Sequence, residues 1–238
     1  MPGNRSAVLN IIGDDLLAPL LTAAPDKPFV IAQLGQSLDG RIATPTGASR
    51  WINKGAALDH VHRLRANVDA VVIGIGTAMA DDPLLTVRRV SGRHPARVVI
   101  DPDGLLKSGA RCLARDGTRC IVVYGDDRDA PLGAESLALP LSGPLIPPRN
   151  IVEALFARGL KKILIEGGAT TVSAFVDAGV VDRLHVLVAP IILGSGTVGL
   201  SLSPIAGLNE ARRPATRVHV LDDGDVLFDC DLRSQEQG

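Results

Sequence analysis

The stretch Lys162-Ile-Leu-Ile-Glu-Gly-Gly-Ala-Thr-Thr-Val-Ser-Ala-Phe-Val-Asp177 indicates the fold class by itself. Its first five residues are mostly apolar and branched, which predicts a short buried strand. Gly167-Gly168 then predicts a tight turn, and Thr170 to Asp177 favours a helix. A buried strand that passes through a glycine turn into a helix is the repeating unit of a parallel sheet covered by helices.

The rest of the chain repeats this alternation of strands and helices. The predicted strands are Phe29–Leu34, Asp69–Gly74, Arg97–Asp101, Arg119–Tyr124 and Arg183–Ala189, and the predicted helices are Gly55–Ala66, Ile151–Arg158 and one that begins after Thr77 as its cap and ends at Pro83. Residues 126–149 give no clear pattern. Near the end, Asp222-Asp-Gly224 separates Arg217–Leu221 from Asp225–Leu232 and predicts a hairpin. We therefore predict a three-layer α/β/α fold with a mainly parallel central sheet and a C-terminal antiparallel hairpin.

Length and pattern favour one domain with short terminal segments. The 238 residues suit a single large domain. We interpret residues 1–27 as an N-terminal extension with one short helix, residues 28–233 as the domain, and residues 234–238 as a tail. The apolar stretch Leu16–Leu21 is short, contains Pro19 and follows acidic residues, so we expect no export.

Composition excludes several classes of function. Hydrophobic residues make up 46% of the chain and charged residues 21%, which is enough apolar material for a core. The formal net charge of -1 favours neither nucleic acid nor a membrane as partner. Cys112, Cys120 and Cys230 form no C-x-x-C pair, which favours a cytoplasmic protein over a disulfide framework or zinc site. Without a Walker loop, nucleophile elbow or ligand-spaced histidines, we expect no metal and no covalent nucleophile.

Candidate binding residues follow the predicted strand Lys162–Glu166, at the edge where parallel sheets bind ligands. Gly167, Gly168 and the Ala169-Thr170-Thr171 turn open a helix whose unpaired N–H groups can hold a pyrophosphate. The same glycines could serve packing alone. Glu166 can accept hydrogen bonds from sugar hydroxyls or ring amines, or it can be an ordinary solvated side chain.

A second strand end carries further candidates. Gly74-Ile-Gly76 matches half of a dinucleotide-binding fingerprint, because residue 79 is methionine. Thr77 and Asp81 are either dinucleotide contacts or a cap and a turn residue. Arg65 and Arg88 are candidates for a phosphate clamp, or solvated surface residues. A dinucleotide cleft without a nucleophile or metal suits hydride transfer, in which the cofactor carries the chemistry.

Five ordered motifs resemble the reductase domain of riboflavin biosynthesis. They are Ser37-Leu-Asp-Gly-Arg-Ile-Ala43, Arg65-Ala-Asn-Val-Asp-Ala70, Gly74-Ile-Gly-Thr-Ala-Met-Ala-Asp-Asp-Pro83 with Leu85-Thr-Val-Arg88, Ile165-Glu-Gly-Gly168, and Ala189-Pro-Ile-Ile-Leu-Gly194. The likeness extends from about Pro28 to Leu232. It implies a fold similar to dihydrofolate reductase, a homodimer, and NADPH-dependent reduction of a ribosylaminopyrimidine 5′-phosphate to its ribityl form.

The same resemblance implies roles for individual residues. The implied NADPH contacts are Gly35, Trp51, Thr77, Asp81 and the turn from Gly168 to Ala174. The implied substrate contacts are Ser49, Arg65, Leu85, Arg88 and Glu166, with the arginines nearest the phosphate and Glu166 as the catalytic residue.

Two features of the sequence leave the substrate open. Gln33 stands where bacterial fused members of the family commonly carry lysine, and the chain has no deaminase motif. The pyrimidine could therefore be reduced before or after its deamination. The alternative functions are a diverged reductase of another pterin- or pyrimidine-like compound, and a catalytically silent nucleotide-binding module.

Overall fold

A nine-stranded sheet lies at the centre of the structure, a computed structural model that describes residues 12–128 and 133–233. Its strands, in chain order, are β1 (Phe29–Ser37), β3 (Ala70–Gly74), β4 (Ala96–Ile100), β5 (Cys120–Gly125), β6 (Glu135–Leu139), β7 (Lys162–Glu166), β8 (Arg183–Ala189), β10 (Ala215–Val220) and β11 (Val226–Asp231). Two short strands, β2 (Arg41–Ala43) and β9 (Thr197–Val198), pair with each other outside it. The order across the large sheet is β10-β11-β8-β1-β7-β3-β4-β5-β6.

Seven of these strands, from β8 to β6 in that order, run parallel. Strand β11 joins β8 antiparallel, and β10 pairs with β11 at the edge of the sheet. Gly224 in the connecting turn has a φ of +92°, a conformation that glycine adopts without strain. The predicted fold class and the predicted C-terminal hairpin are both confirmed.

Helices cover both faces of the sheet. They are α1 (Ile12–Leu21), α2 (Gly55–Asn67), α3 (Ile75–Asp81), α4 (Pro148–Ala157) and α5 (Ala169–Asp177), with 3-10 turns at Arg111–Leu113 and Leu208–Glu210. On one face, Leu64 of α2 packs with Leu164 of β7. On the other face, Phe175 of α5 packs with Ile163 and Ile165. Successive residues of β7 thus enter opposite cores, which explains why this strand is apolar throughout.

The path of the chain brings three strand ends together. After β1 the chain builds β3 to β6 outward, and β7 then returns between β1 and β3. The carboxyl ends of β1, β7 and β3 therefore lie side by side at one edge of the sheet. Such a point, where the strand order reverses, is where open α/β sheets bind ligands.

The structure differs from the sequence prediction in local details. Thr77 lies inside α3 and does not cap it, because the helix begins at Ile75 with Gly74 as its N-cap residue. Residues 126–149, which gave no pattern, contain β6. Helix α4 begins at Pro148, three residues before the predicted start, because proline suits the first turn of a helix.

Helix α1 lies within the segment interpreted as an N-terminal extension. Its Leu17 and Leu20 are 8% and 1% exposed and belong to the same core cluster as Leu64. Part of the segment before Pro28 is therefore packed against the domain. Residues 1–11 and the predicted tail at 234–238 lie outside the described residues.

A buried polar network joins α2 to the C-terminal hairpin. His185 Nε2 lies 3.1 Å from Asp229 Oδ1, and His185 Nδ1 lies 2.9 Å from His60 Nε2. Neutral rings satisfy both contacts if each histidine donates through Nε2. Burial lowers the pKa of His60 well below its usual range, and the positive charge that His185 can carry lowers it further.

This network predicts a loss of stability in acid. In the unfolded chain His60 binds a proton below pH about 6.5, whereas the folded protein keeps it neutral to a lower pH. The free energy of unfolding should therefore fall as the pH drops below about 6.5. Denaturant titrations at several pH values measure this slope, and H60N should flatten it.

A matched control is L64A on the same helix. It removes a fully buried side chain that does not titrate, so it should lower stability at every pH and leave the slope unchanged. An H60N slope equal to that of the wild type would contradict the prediction.

Candidate active site

A buried ion pair joins the end of α2 to the carboxyl end of β7. Arg65 Nε donates to Glu166 Oε2 at 2.8 Å, and Arg65 Nη2 donates to Glu166 Oε1. Burial alone would lower the pKa of Arg65, but the adjacent Glu166 carboxylate raises it. Because Arg65 is 7% exposed, Glu166 supplies the opposite charge that a buried guanidinium requires.

Thr86 links this ion pair to a second arginine. Its carbonyl oxygen accepts a hydrogen bond from Arg65 Nη1 at 3.1 Å, and its hydroxyl accepts one from Arg88 Nη1 at 2.7 Å. Three of the five N–H donors of Arg65 are thus used by protein groups, so two remain. Arg88 is exposed and forms no ion pair with a carboxylate of the described residues. Arg88 is therefore the more available of the two for an anionic ligand.

Two histidines fix the backbone that carries Arg88. His62 Nδ1 accepts the Arg88 N–H at 3.0 Å, and His94 Nδ1 accepts the Val87 N–H at 3.2 Å. An imidazole nitrogen that accepts a hydrogen bond carries no proton. Burial, together with the charges of the two nearby arginines, lowers the pKa of His62 to about 4. The anchor beneath Arg88 is therefore intact at neutral pH.

The glycine turn after Glu166 lies against α3. The Gly168 N–H donates to Thr77 Oγ1 at 2.9 Å. Gly167 has a φ of +129°, and a Cβ there would lie 2.9 Å from Thr77 Oγ1, whereas Gly168 has an ordinary φ of -63°. The need for glycine is thus strongest at Gly167.

Helix α5 begins directly after this turn without a side-chain cap. The first amides of a helix have no partner within it, so those of Ala169, Thr170 and Thr171 point out from its N-terminus. A Cβ at Gly76, the residue before Thr77, would meet no atom within 4 Å, so the space there is open. Free amides beside open space are what a pyrophosphate requires, so these residues fit a dinucleotide.

A loop on the other side of β1 carries further predicted contacts. A Cβ at Gly35 would lie 2.1 Å from Asn53 Oδ1, so this glycine allows the loop to lie on the strand. Trp51 is 82% exposed and has a φ of +72°. A bulky exposed side chain on a left-handed backbone is typical of a ligand contact. Ser49, two residues earlier, is half-buried.

Two other predicted contacts have different surroundings. Leu85 is 1% exposed and packs in the core with a φ of +56°, so the structure places this predicted substrate contact in the core and not at an open surface. Asp81 is half-buried at the last position of α3.

The first and last sequence motifs meet at the end of β1. Hydrogen bonds to Asp39 from the Ser37 hydroxyl and from the Leu193 and Gly194 amides lower the pKa of this carboxyl to about 2. The turn after β1 is therefore tied to the segment after β8.

Sequence reasoning missed Thr86 as a bridge and both histidines as anchors. A signal existed for His62, since it precedes Arg65 by three residues and shares its helix face. A concavity of about 250 Å³ does not mark this site. It lies around Phe29 and Lys162, at the amino ends of β1 and β7, whereas Glu166 and the glycine turn lie at the carboxyl end of β7.

Within residues 12–128 and 133–233, no three His, Cys, Asp or Glu side chains lie together in a group that could hold a metal ion. Within the same residues, none of the helices combines the length and apolar character needed to cross a membrane.

Several known proteins are similar to this chain in sequence and in fold. The family model of the RibD C-terminal domain matches residues 28–217. The riboflavin biosynthesis protein RibD of Aquifex aeolicus is 33% identical over 178 residues, which cover 72% of this chain and 49% of that protein. The 2,5-diamino-6-ribosylamino-4(3H)-pyrimidinone 5′-phosphate reductase of Methanothermobacter thermautotrophicus is 34% identical over 174 residues, which cover 71% of this chain and 80% of that protein.

Solved structures of similar fold include proteins of the same kind. A deaminase/5-amino-6-(5-phosphoribosylamino)uracil reductase from Thermotoga maritima superposes with a TM-score of 0.74 at 27% identity, covering 91% of this chain and 59% of that one. The yeast reductase Rib7 has the same fold, with a TM-score of 0.74 at 21% identity over 92% of this chain and 98% of its own.

The chain spans about half the length of the RibD relatives that it matches and most of the archaeal reductase. The family model covers residues 28–217, which include all five sequence motifs and the strand ends described above. This chain belongs to the RibD C-terminal domain family.

Proposed function

We propose that this chain is a nicotinamide-dependent reductase of a ribosylaminopyrimidine 5′-phosphate in riboflavin biosynthesis, with NADPH as its cofactor. One observation carries the proposal. The turn that fits a pyrophosphate, Gly167 to Thr171, directly follows Glu166, which is held by Arg65 beside Arg88. A dinucleotide at the turn and a phosphorylated substrate at Arg88 would thus be neighbours.

The residues of the turn would hold the dinucleotide. The α5 amides would bind its pyrophosphate, and Thr77 would keep the turn in place through the Gly168 amide. Exposed Trp51 and the Gly35 backbone would form the edge of the site next to β1. When bound, the cofactor would supply the hydride that reduces the sugar carbon C1′.

The ion-paired network would hold the substrate. Arg88 would bind the phosphate, since it is exposed, fixed by Thr86 and not neutralised by a carboxylate of the described chain. Arg65 donates one hydrogen bond to each carboxylate oxygen of Glu166. Each oxygen keeps a second lone pair, which can accept a hydrogen bond from a ring amine or sugar hydroxyl.

Glu166 would therefore act as an oriented hydrogen-bond acceptor. Its negative charge, fixed before the substrate binds, would stabilise the positive charge of an imine nitrogen that takes a proton from solvent. Hydride addition at C1′ would then neutralise that charge and leave the amine. Most of the rate enhancement would come from alignment of the two reactants.

Gln33 would face the same substrate. It is the register partner of Glu166 on the neighbouring strand β1, and it is 7% exposed. A neutral amide here removes a cation that bacterial fused members commonly have, and the matched archaeal relative is named for the diamino substrate. We therefore propose the diamino compound, reduced before deamination, as the preferred substrate. The cytoplasmic location and the homodimer stay predictions.

The activity is tested by following NADPH absorbance with purified protein. We expect oxidation of NADPH with the diaminopyrimidinone ribosyl phosphate, slower turnover with its deaminated uracil counterpart, and a lower kcat/KM with NADH. Absence of NADPH oxidation with both pyrimidines would refute the proposed function. Faster turnover of the uracil would refute the proposed order of reactions.

The phosphate-binding turn is tested by a pair of glycine substitutions. G167A places a Cβ on a backbone at φ +129° and against Thr77, so it should weaken NADPH binding by about tenfold or more. G168A meets the same hydroxyl at 3.1 Å from an ordinary backbone conformation and should cost much less. Fluorescence titration with NADPH gives both affinities, and circular dichroism reports whether each variant folds. Equal affinities for the two variants would contradict this assignment of the turn.

A further inference from the structure

A third arginine lies beside the proposed substrate site. The backbone N–H of Arg111 donates to Asp82 Oδ1 at 2.7 Å. Asp82 is the C-cap residue of α3 and has a left-handed conformation with a φ of +41°. Cys112 then packs in the same core cluster as Leu85. The 3-10 turn that begins at Arg111 is therefore docked on the segment that leads to Arg88.

Arg111 and Arg88 both lack an ion-pair partner among the described residues. Neither guanidinium forms an ion pair within the described parts of the chain, and both side chains are exposed. Burial lowers the pKa of Arg88, and the positive charges of Arg65 and Arg111 lower it further. Together with the docking of the Arg111 turn on Asp82, this places the charge of Arg111 on the segment next to the one that carries Arg88.

Two neighbouring guanidinium groups, neither of which forms an ion pair within the described residues, match one ligand chemistry well. A phosphate monoester carries nearly two negative charges at neutral pH, and guanidinium binds its oxygens through paired N–H groups. Binding such a dianion would turn the repulsion between the arginines into attraction to a shared anion. The Arg65–Glu166 pair cannot do this, because its own charges already cancel.

We propose that Arg111 forms, together with Arg88, a binding site for a phosphate monoester. The inference rests on the proposed function, which offers two such groups, the 5′-phosphate of the substrate and the 2′-phosphate of NADPH. Both sources share the chemistry that the two arginines recognise. Binding of isolated phosphate compounds separates them without requiring turnover.

The test measures the affinities of ribose 5-phosphate and adenosine 2′,5′-bisphosphate by calorimetry for wild type, R88A, R111A and R111K. The control is R115A, which removes another exposed arginine four residues further along the chain. We expect R111A to weaken one of the two compounds by about ten- to a hundredfold, the loss typical of a charge-assisted contact. R111K should restore part of this affinity, and R88A should weaken the same compound.

The outcomes separate this inference from the proposed function. Loss confined to ribose 5-phosphate assigns the site to the substrate, and loss confined to the bisphosphate assigns it to the cofactor. An R111A effect no larger than that of R115A, or a wild type that binds neither compound, would overturn the inference. Reductase activity of the wild type is measured separately, so its absence would refute the function whatever the calorimetry gives.

Discussion

The buried ion pair between Arg65 and Glu166 is the constraint on which the site depends. It joins the last turn of α2 to the end of β7, two positions that are 101 residues apart in the chain. The Arg65 charge is not stable there alone, because a buried charge needs a partner, whereas Glu166 is half-buried. The pair therefore fixes the Glu166 carboxylate beside the glycine turn, and through Thr86 it also fixes the segment that carries Arg88.

The charge of the chain explains why two kinds of group are proposed to bind anions at this edge of the sheet. The chain has a formal net charge of -1, so anions must be bound by local groups. In the proposed function, helix amides beside Gly167 would provide one such group without any cation, which suits a pyrophosphate. Exposed arginines that lack carboxylate partners among the described residues would provide the other. The neutral Arg65–Glu166 pair would then lie between the two proposed anion-binding regions.

Much of the fold could be predicted because it rests on local pattern. The apolar run of β7, the glycine turn and the Asp222–Gly224 hairpin each specify their own structure within a few residues. Strand β6 was missed because it lies in a segment rich in proline and glycine, and only one of its five residues is buried, so its sequence shows no apolar run. The packing of α1 depends on contacts with distant elements, which the pattern of its own residues does not reveal.

The site was predicted as a set of residues but not as a set of contacts. The family resemblance implied that Arg65, Arg88 and Glu166 share one site, whereas their hydrogen bonds depend on side-chain geometry across the sheet edge. A double-mutant cycle of R65M, E166Q and R65M/E166Q tests the central claim, with the free energy of unfolding measured by denaturant titration. E166Q should lose about 3–5 kcal/mol because it leaves the buried Arg65 charge unpaired, and R65M should lose less because Glu166 is half-buried. The double variant should lose clearly less than the sum, because removing both partners leaves no unpaired buried charge. Losses that add to within about 0.5 kcal/mol would show that the two residues do not depend on each other, and would contradict the account.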